Sequence, residues 1–513
     1  MKKILILVVC FGFLANITFA QNTNRAQDSL LNIKAAQFFT KGLKYRQANN
    51  YDSSTANFKN AGNLYTKTKS FNKYWDILNE IANNHIATEK YSEAEQLLKT
   101  IIKSNEKRRN GKNKQVADAY YSLGLTYFRT EDYIQQISSL QKSLEIRILL
   151  YKGDHLIVAN TQTFIGIGHS KKRDFQTALD YFLEALRIRE KKLRNENAIL
   201  ATSFGNVASM YKELRNYDLA IDYFLKELEI VKKSTMGEHL LWASSYNSIA
   251  NGFFLKGDYE NAQEYFQKAL RTHSKLLGGE VNANVANDYN NIGACMNSMG
   301  KHEQALNSFF RALEIRKKIF GDRHIEIAQL YNNIGVSYSS KKNNEKAIEY
   351  HSIALEMRRA LLGEKNVAVA NSYNNIGSAY HSKGDYNLAL ENLNKAAEIW
   401  KSLLGEKNTE IATSYSNLGS SYAQKGEYDK ALEYYNKALN LRKELFGNVH
   451  PEIATSYNNI GITHYLIGEY DKALNYYSNS LDMRKELFGE KHPDVATSYN
   501  NLGVTHYFKE NYP

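Results

Sequence analysis

The sequence predicts an all-α protein built as a solenoid of helix-turn-helix repeats. Its 513 residues exceed what one hydrophobic core usually holds, so several domains or a repeat array are expected. A glycine or alanine recurs about every 42 residues along most of the chain. Only three prolines occur, and their scarcity favours long, uninterrupted helices.

The repeat period follows a series of small residues. Gly461 and Gly503 lie 42 residues apart, and steps of 40 to 43 residues carry the series back to Gly42. If each repeat begins seven residues before its small residue, the chain holds eleven complete repeats and an opening fragment, 496–513. The complete repeats are 35–74, 75–116, 117–158, 159–200, 201–242, 243–285, 286–327, 328–369, 370–411, 412–453 and 454–495.

Each repeat is predicted to form two helices. In repeat 454–495, spacings of three and four residues mark one face of a first helix. That face consists of Ala454, Tyr457, Gly461 and His464. A second stripe begins at Ala473 and continues with Tyr477 and Leu481. Between the stripes, Gly468 suits a left-handed helix stop.

Small residues are expected where the two helices of a repeat cross. Gly461 and Ala473 carry no bulky side chain, so the two backbones can approach closely there. One helix pair cannot bury both of its apolar faces alone. Stacking on the next pair completes the burial, which predicts a quasi-one-dimensional array.

The pattern resembles the tetratricopeptide repeat. In repeat 454–495 the resemblance is carried by Tyr457, Ile460, Gly461, Ala473, Tyr477 and Ser480. A repeat of this length carrying "LFGEKHPDVATSYNNLG" is similar to the longer variety in kinesin light chains and many bacterial proteins. The resemblance covers 35–513. It implies a right-handed superhelix whose first helices line a concave groove, and a protein or peptide partner of unspecified identity.

The first twenty residues are predicted to be an export signal. Lys2 and Lys3 precede a short apolar run, and a cleavage site is expected before Gln21. Residues 1–20 would be a signal peptide and 21–34 a linker or capping segment. The protein is then expected in the periplasm, at the cell surface or outside the cell. No later stretch is apolar enough to predict a membrane span.

Asparagine recurs at one position of the first helix, on the stripe that the resemblance places in the groove. The candidate partner-binding residues are Asn206, Asn291, Asn333, Asn375, Asn417, Asn459 and Asn501. Asparagine costs roughly half a kcal/mol relative to alanine inside a helix. One interpretation is passive duplication, or an amide bonded to an adjacent helix. The other is a ladder of amides that pairs with the main chain of an extended peptide.

The sequence offers no pattern typical of an enzyme. It contains no His-x-x-x-His pair, phosphate-binding glycine loop or nucleophile elbow, so no catalytic residue, metal or cofactor is expected. Cys295, the one cysteine after the export signal, is expected to be a buried filler. The net charge is +12, but acids interleave the basic residues, which favours a solvated helix face over nucleic-acid binding.

The chain stops after the first helix of a twelfth repeat. This ending predicts that the sequence is the front part of a longer polypeptide; the alternative is a natural end that another subunit covers. Two functions remain open at this point. The chain could be a non-enzymatic scaffold that binds a protein or peptide. The resemblance implies a second possibility, the sensing or recruiting region of a larger signalling protein or caspase-like protease, because bacterial arrays of this variety often precede another domain.

Overall fold

The computed structural model describes residues 2–106, 111–194, 198–279 and 281–511, with side chains from residue 25 to residue 510. Its elements are α-helices, and no β-strand occurs in these ranges. The chain divides into an N-terminal unit, Met1–Lys256, and a C-terminal unit, Gly257–Pro513. Within each unit every helix packs against the next one along the chain. The predicted all-α fold of helix-turn-helix repeats is confirmed.

The N-terminal unit contains eleven helices in its described residues. They are α1 (Lys2–Gln47), α2 (Tyr51–Lys67), α3 (Phe71–Ala87), α4 (Tyr91–Asn105), α5 (Lys114–Arg129), α6 (Tyr133–Tyr151), α7 (Leu156–Lys171), α8 (Phe175–Lys192), α9 (Ala198–Glu213), α10 (Tyr217–Ser234) and α11 (Leu240–Lys256). The segment 21–34, predicted as a linker or capping segment, belongs to α1. The side chains of the predicted export signal lie outside the described residues.

The C-terminal unit contains twelve helices in its described residues. They are α12 (Tyr259–Leu276), α13 (Ala283–Ser298), α14 (His302–Phe320), α15 (Ile325–Ser340), α16 (Asn344–Leu362), α17 (Val367–Lys383), α18 (Tyr386–Leu404), α19 (Thr409–Gln424), α20 (Tyr428–Phe446), α21 (Pro451–Leu466), α22 (Tyr470–Phe488) and α23 (Pro493–Asn511). From α13 onward, odd-numbered helices are the first helices of their repeats, and even-numbered helices are the second.

The turn inside each repeat places one residue in the left-handed region of the backbone map. Gly468, the predicted stop, has φ 82°. At the same repeat position Arg173, Arg215 and Lys342 have φ between 58° and 63°. This conformation costs a residue with a side chain about 1 to 2 kcal/mol, so the packing of the two helices must offset that cost in these repeats.

The two helices of a repeat approach closely at the predicted small residue. A Cβ atom built on Gly461 would lie 2.9 Å from Cδ1 of Tyr477, a contact too short to keep. Tyr477 is buried on α22, and so is Ala473. The same crossing recurs at Gly419, where the Cβ would lie 2.8 Å from Cδ1 of Tyr435. An aromatic ring on the second helix thus occupies the space that the glycine leaves open.

Gly461→Ala should therefore destabilise the protein. The added methyl displaces the Tyr477 ring, at a cost of about 1 to 3 kcal/mol for an overpacked core. The matched control is Gly503→Ala, at the same repeat position in α23, where no atom lies within 4 Å of the built Cβ. That variant should be neutral or more stable by up to about 1 kcal/mol, since alanine favours helix. Urea unfolding followed by circular dichroism checks both; equal midpoints for the two variants would contradict the crossing geometry.

Candidate functional site

The seven candidate asparagines lie on the first helices of their repeats, and all are half-buried. Asn206 lies on α9 in the N-terminal unit. The other six belong to the C-terminal unit, one on each of α13, α15, α17, α19, α21 and α23. We call these six the asparagine face: Asn291, Asn333, Asn375, Asn417, Asn459 and Asn501.

Four members of the asparagine face bond to the preceding repeat. In each, the side-chain Nδ2 donates to the Oδ1 of an asparagine 43 residues earlier, over 2.8 to 3.1 Å. The pairs are Asn333 with Asn290, Asn375 with Asn332, Asn417 with Asn374, and Asn501 with Asn458. For these four residues the amide is bonded to an adjacent helix, as one of the two interpretations of the sequence expected.

Two of the remaining candidates, Asn206 and Asn459, lack this pairing because their sequence context differs. The residues 43 positions before Asn206 and Asn459 are Thr163 and Ser416, neither of which is an asparagine. Asn291 accepts a hydrogen bond through its Oδ1 over 3.3 Å from the asparagine that precedes it. The amide bond between repeats therefore requires asparagine at two adjacent positions in successive repeats.

The bonds between repeats leave the amides with further capacity. A carboxamide carries two N–H donors and an acceptor oxygen, and Asn375 uses one donor on Asn332. The bond also fixes the orientation of the amide, which lowers the ordering cost of a second interaction. The asparagine face thus presents oriented amide groups, which can donate to and accept from a peptide main chain.

A second series of polar residues, which the sequence reading missed, lies on the second helices. Six arginines recur at multiples of 42 residues within each unit, and they are only 4 to 7% exposed. We call them the arginine layer: Arg147 and Arg189 in the N-terminal unit, and Arg316, Arg358, Arg442 and Arg484 in the C-terminal unit.

Most of the arginine layer joins neighbouring repeats. In five of its members, Nη1 donates to a hydroxyl oxygen 14 residues later, over 2.7 to 2.8 Å. The acceptors are Thr161, Ser203, Ser372, Ser456 and Ser498. Each bond links the second helix of one repeat to the first helix of the next, so the layer ties the repeats together inside each unit.

The arginines differ in how their charge is compensated. Arg442 forms an ion pair with Glu452 over 2.7 Å, and this carboxylate offsets part of the effect by which burial lowers the pKa of Arg442. Arg358 instead bonds to the neutral amide oxygen of Gln329 over 2.8 Å. Burial lowers the pKa of Arg358 as well, and no carboxylate among the described residues pairs with it.

The signal for the arginine layer was present in the sequence but was interpreted differently. In "RKELFGEKHPD", which begins at Arg484, the basic residues alternate with acids and suggested a solvated face. Arg484 is 7% exposed, whereas the side chain of its neighbour Lys485 is 31% exposed. The recurrence of arginine, and not lysine, at one repeat position was the available clue, because only arginine offers a rigid fork of donors.

Other candidate chemistry is sparse in the described residues. Cys295 is fully buried, and burial raises the pKa of its thiol to about 12, so the thiolate is disfavoured. No group of three or more His, Cys, Asp or Glu side chains is placed to hold a metal ion in the described ranges. None of the helices searched there has an apolar stretch long enough to cross a membrane.

Stacked helix pairs with small residues at their crossings define a helical-repeat protein. A sequence model described as tetratricopeptide repeat matches residues 115–191, 199–275, 241–318, 282–360, 326–402, 368–444, 410–486 and 452–513. The chain belongs to the tetratricopeptide repeat family. No curated protein matches it in sequence.

Several solved structures are similar to this chain. BtubC (BKLC) from P. vanneervenii is 20% identical, with a TM-score of 0.38, over 46% of this chain and 92% of its own. A Podosopora anserina protein named as a kinesin light chain, with nearly identical TPR-like repeats, is 16% identical, with a TM-score of 0.37. The match covers 41% of this chain and 100% of that protein's chain. The apo form of RapI is 17% identical, with a TM-score of 0.43, over 56% of this chain and 99% of its own.

The N-terminal unit carries a carboxyl group at an unusual position. Glu227 on α10 occupies the repeat position of Ala185, where most repeats have alanine. A Cβ on Gly205 would lie 3.1 Å from the Glu227 carboxyl carbon, so this glycine makes room for the side chain. Burial raises the pKa of Glu227 to about 7. The folded protein therefore holds this proton more tightly than the unfolded chain does.

This carboxyl group should make stability depend on pH. Because the folded-state pKa of Glu227 exceeds its ordinary value of 4.5, the free energy of unfolding should fall as pH rises from about 4.5 to about 7. Glu227→Gln removes the charge and should gain about 1 to 3 kcal/mol at pH 8 over the parent, but little at pH 4.5. Thermal melts at both pH values check this.

The matched control for this prediction is Glu229→Gln. Glu229 lies two residues away at the surface, where its hydrogen bond to Lys233 lowers the carboxyl pKa. That change should give no gain at pH 8. A gain for Glu227→Gln of equal size at both pH values would show that the effect comes from shape and not from charge.

Proposed function

We propose that this chain is a non-enzymatic scaffold that binds a protein partner through an extended peptide segment lying along the asparagine face. The family supports the coarser part of this proposal, since the tetratricopeptide repeat is typically a protein-interaction scaffold and usually non-catalytic. The observation that carries the finer part is the oriented amide series. Asn333, Asn375 and Asn417 are each held by the preceding repeat and each retain donor and acceptor capacity.

A protein partner is favoured over a nucleic acid by the placement of the positive charge. The chain has a formal net charge of +12, but six arginines lie buried between repeats, where they bond to hydroxyl, carbonyl and side-chain oxygens. Many surface lysines pair with acids one helical turn away, such as Lys437 with Glu433 over 2.5 Å. Recognition of a phosphate backbone needs a continuous exposed basic surface, which these pairings weaken.

We further propose that the protein works outside the cytoplasm, in the periplasm, at the cell surface or beyond it. The support is the sequence of residues 1–20, with two lysines, an apolar run and small residues before Gln21. Expression of the full chain in a bacterial host, followed by N-terminal sequencing of the exported fraction, should find Gln21 as the first residue. An unprocessed chain that stays in the cytoplasm would refute export.

The scaffold proposal predicts loss of binding when the amides are removed. The triple variant Asn333→Ala, Asn375→Ala and Asn417→Ala should capture its partner at least about tenfold less well, because each lost main-chain bond is worth about 1 kcal/mol. Helicity should be kept, since alanine is the better helix former. The measurement is a pull-down from exported fractions with residues 21–513 as bait, quantified on the captured partner.

The control variant deletes the same bonds between repeats by replacing the residues that accept them. Asn290→Ala, Asn332→Ala and Asn374→Ala delete the acceptors of those bonds while keeping the three amides of the asparagine face. This variant should lose stability to a similar extent and bind somewhat more weakly than the parent, because its amides are no longer oriented, yet it should retain clearly more binding than the first variant. Equal loss of binding in both variants would mean that the amides act only between repeats, and unchanged binding in the first would end the proposal.

A further inference from the structure

One cavity in the C-terminal unit adjoins both the asparagine face and the arginine layer. It has a volume of 380 Å³. Its polar lining includes Arg358 of α16, Asn371, Asn374 and Asn375 of α17, and Trp400 of α18. Arg358 and Trp400 are 4% and 3% exposed, so they form the deep part of the cavity.

The preceding repeat contains an equivalent but smaller cavity. There the volume is only 100 Å³, and the lining includes Arg316 and Glu326. Arg316 and Arg358 lie 42 residues apart and are equivalent. The Glu326 carboxylate forms an ion pair with Arg316 over 2.5 Å. At the position equivalent to Glu326 the next repeat has Ala368, which brings no carboxylate to Arg358.

The loss of this glutamate changes the acceptor that the Nη2 group of Arg358 meets. Arg358 Nη1 donates to Ser372 Oγ and to the Ala368 carbonyl, as Arg442 Nη1 does to Ser456 and the Glu452 carbonyl. Nη2, however, meets the amide oxygen of Gln329 in place of a carboxylate. The Nε–H of Arg358 has no hydrogen-bond partner, a feature that it shares with Arg147 and Arg189.

The next repeat supplies one more unsatisfied donor to the same cavity. Trp400 occupies the arginine position of its own repeat, and its indole N–H is buried without a partner. Ser414, which stands where other repeats bond their arginine, instead donates to the Leu393 carbonyl. Glu410 also lines the cavity and accepts from the Thr409 hydroxyl.

We propose that this cavity binds one carboxylate, from an acidic side chain of the bound peptide, beside Arg358 and Trp400. The incoming carboxylate takes the place that Glu326 and Glu452 hold in neighbouring repeats, and it displaces the Gln329 amide from Nη2. A charge-assisted bond to guanidinium is stronger than the neutral bond it replaces. This inference deepens the scaffold function and rests on it, because it assigns the chemistry of one residue in the peptide.

The test measures ligand binding in the cavity without a protein partner. The full chain is labelled with 5-fluorotryptophan, and Trp400→Phe assigns one of its three ¹⁹F resonances. The probe is N-acetyl-glutamic acid α-amide, which carries a single carboxylate, and the control probe is N-acetyl-glutamine amide. The Trp400 resonance should shift saturably with the first probe and respond at least about tenfold more weakly to the second. No shift, or equal affinity for both probes, would overturn the proposal.

A variant that fills the cavity from within sharpens the test. Ala368→Glu restores the residue found at Glu326 and Glu452, so its own carboxylate should occupy Arg358. It should abolish the response to the glutamic acid probe and raise the thermal midpoint. Ala368→Gln, of the same size without charge, should bring no stabilisation. Undiminished probe binding by Ala368→Glu would refute the site.

The outcome is separable from that of the scaffold proposal. A failed probe titration, with partner capture still dependent on Asn333, Asn375 and Asn417, would remove the carboxylate site alone. A probe response together with partner capture that is indifferent to those three asparagines would remove the peptide ladder and keep the site.

Discussion

The structure depends on apolar surface that a single helix pair cannot bury. One core cluster of the C-terminal unit draws on three successive repeats, through Leu355, Trp400 and Leu441. Each helix pair is covered on its inner face by its own crossing and on its outer face by the next pair. Stability should then grow by adding neighbours, as in other linear arrays. The absence of a disulfide fits this design, because the sole described cysteine, Cys295, is buried and unpaired.

The arginine layer adds directional hydrogen bonds to packing between repeats that is otherwise mostly apolar. A buried guanidinium is costly unless its donors are satisfied, and removing a partner from such a site leaves an uncompensated charge. Arg442 meets this requirement through Ser456, a backbone carbonyl and Glu452. Since these acceptors all lie on α21, the first helix of the next helix pair, the arginine is satisfied only when that helix is docked in register. Arg358 lacks the carboxylate partner that Arg316 and Arg442 have in the same unit.

The sequence predicted the fold well because the fold is local and repeated. The 42-residue period, the crossing at Gly461 and the left-handed stop at Gly468 each follow from residue size or backbone freedom, and the structure agrees at these positions. The bonding of the asparagines was harder to predict. Asn375 meets Asn332, one residue off the repeat period, and that offset arises from how successive first helices lie side by side.

The arginine layer escaped prediction for a different physical reason. A charged residue flanked by acids is usually solvated, so Arg484 in its charged surroundings gave no sign of burial. Its burial follows from a serine 14 residues later, a partner that only the docking of the next repeat brings near. The cavity at Arg358 was equally hidden, since it depends on two differences between similar repeats: Ala368 stands at the position of Glu326, and Trp400 stands at the arginine position of the next repeat.

The most direct test of this account compares arrays of different length from the C-terminal unit. Fragments 412–453, 370–453, 328–453 and 286–453 contain one to four repeats, and far-UV circular dichroism in urea reports their helicity and unfolding midpoint. The account predicts a largely unfolded single repeat, with midpoints that rise as repeats are added. A single repeat that is fully helical, with the same midpoint as the longest fragment, would contradict it.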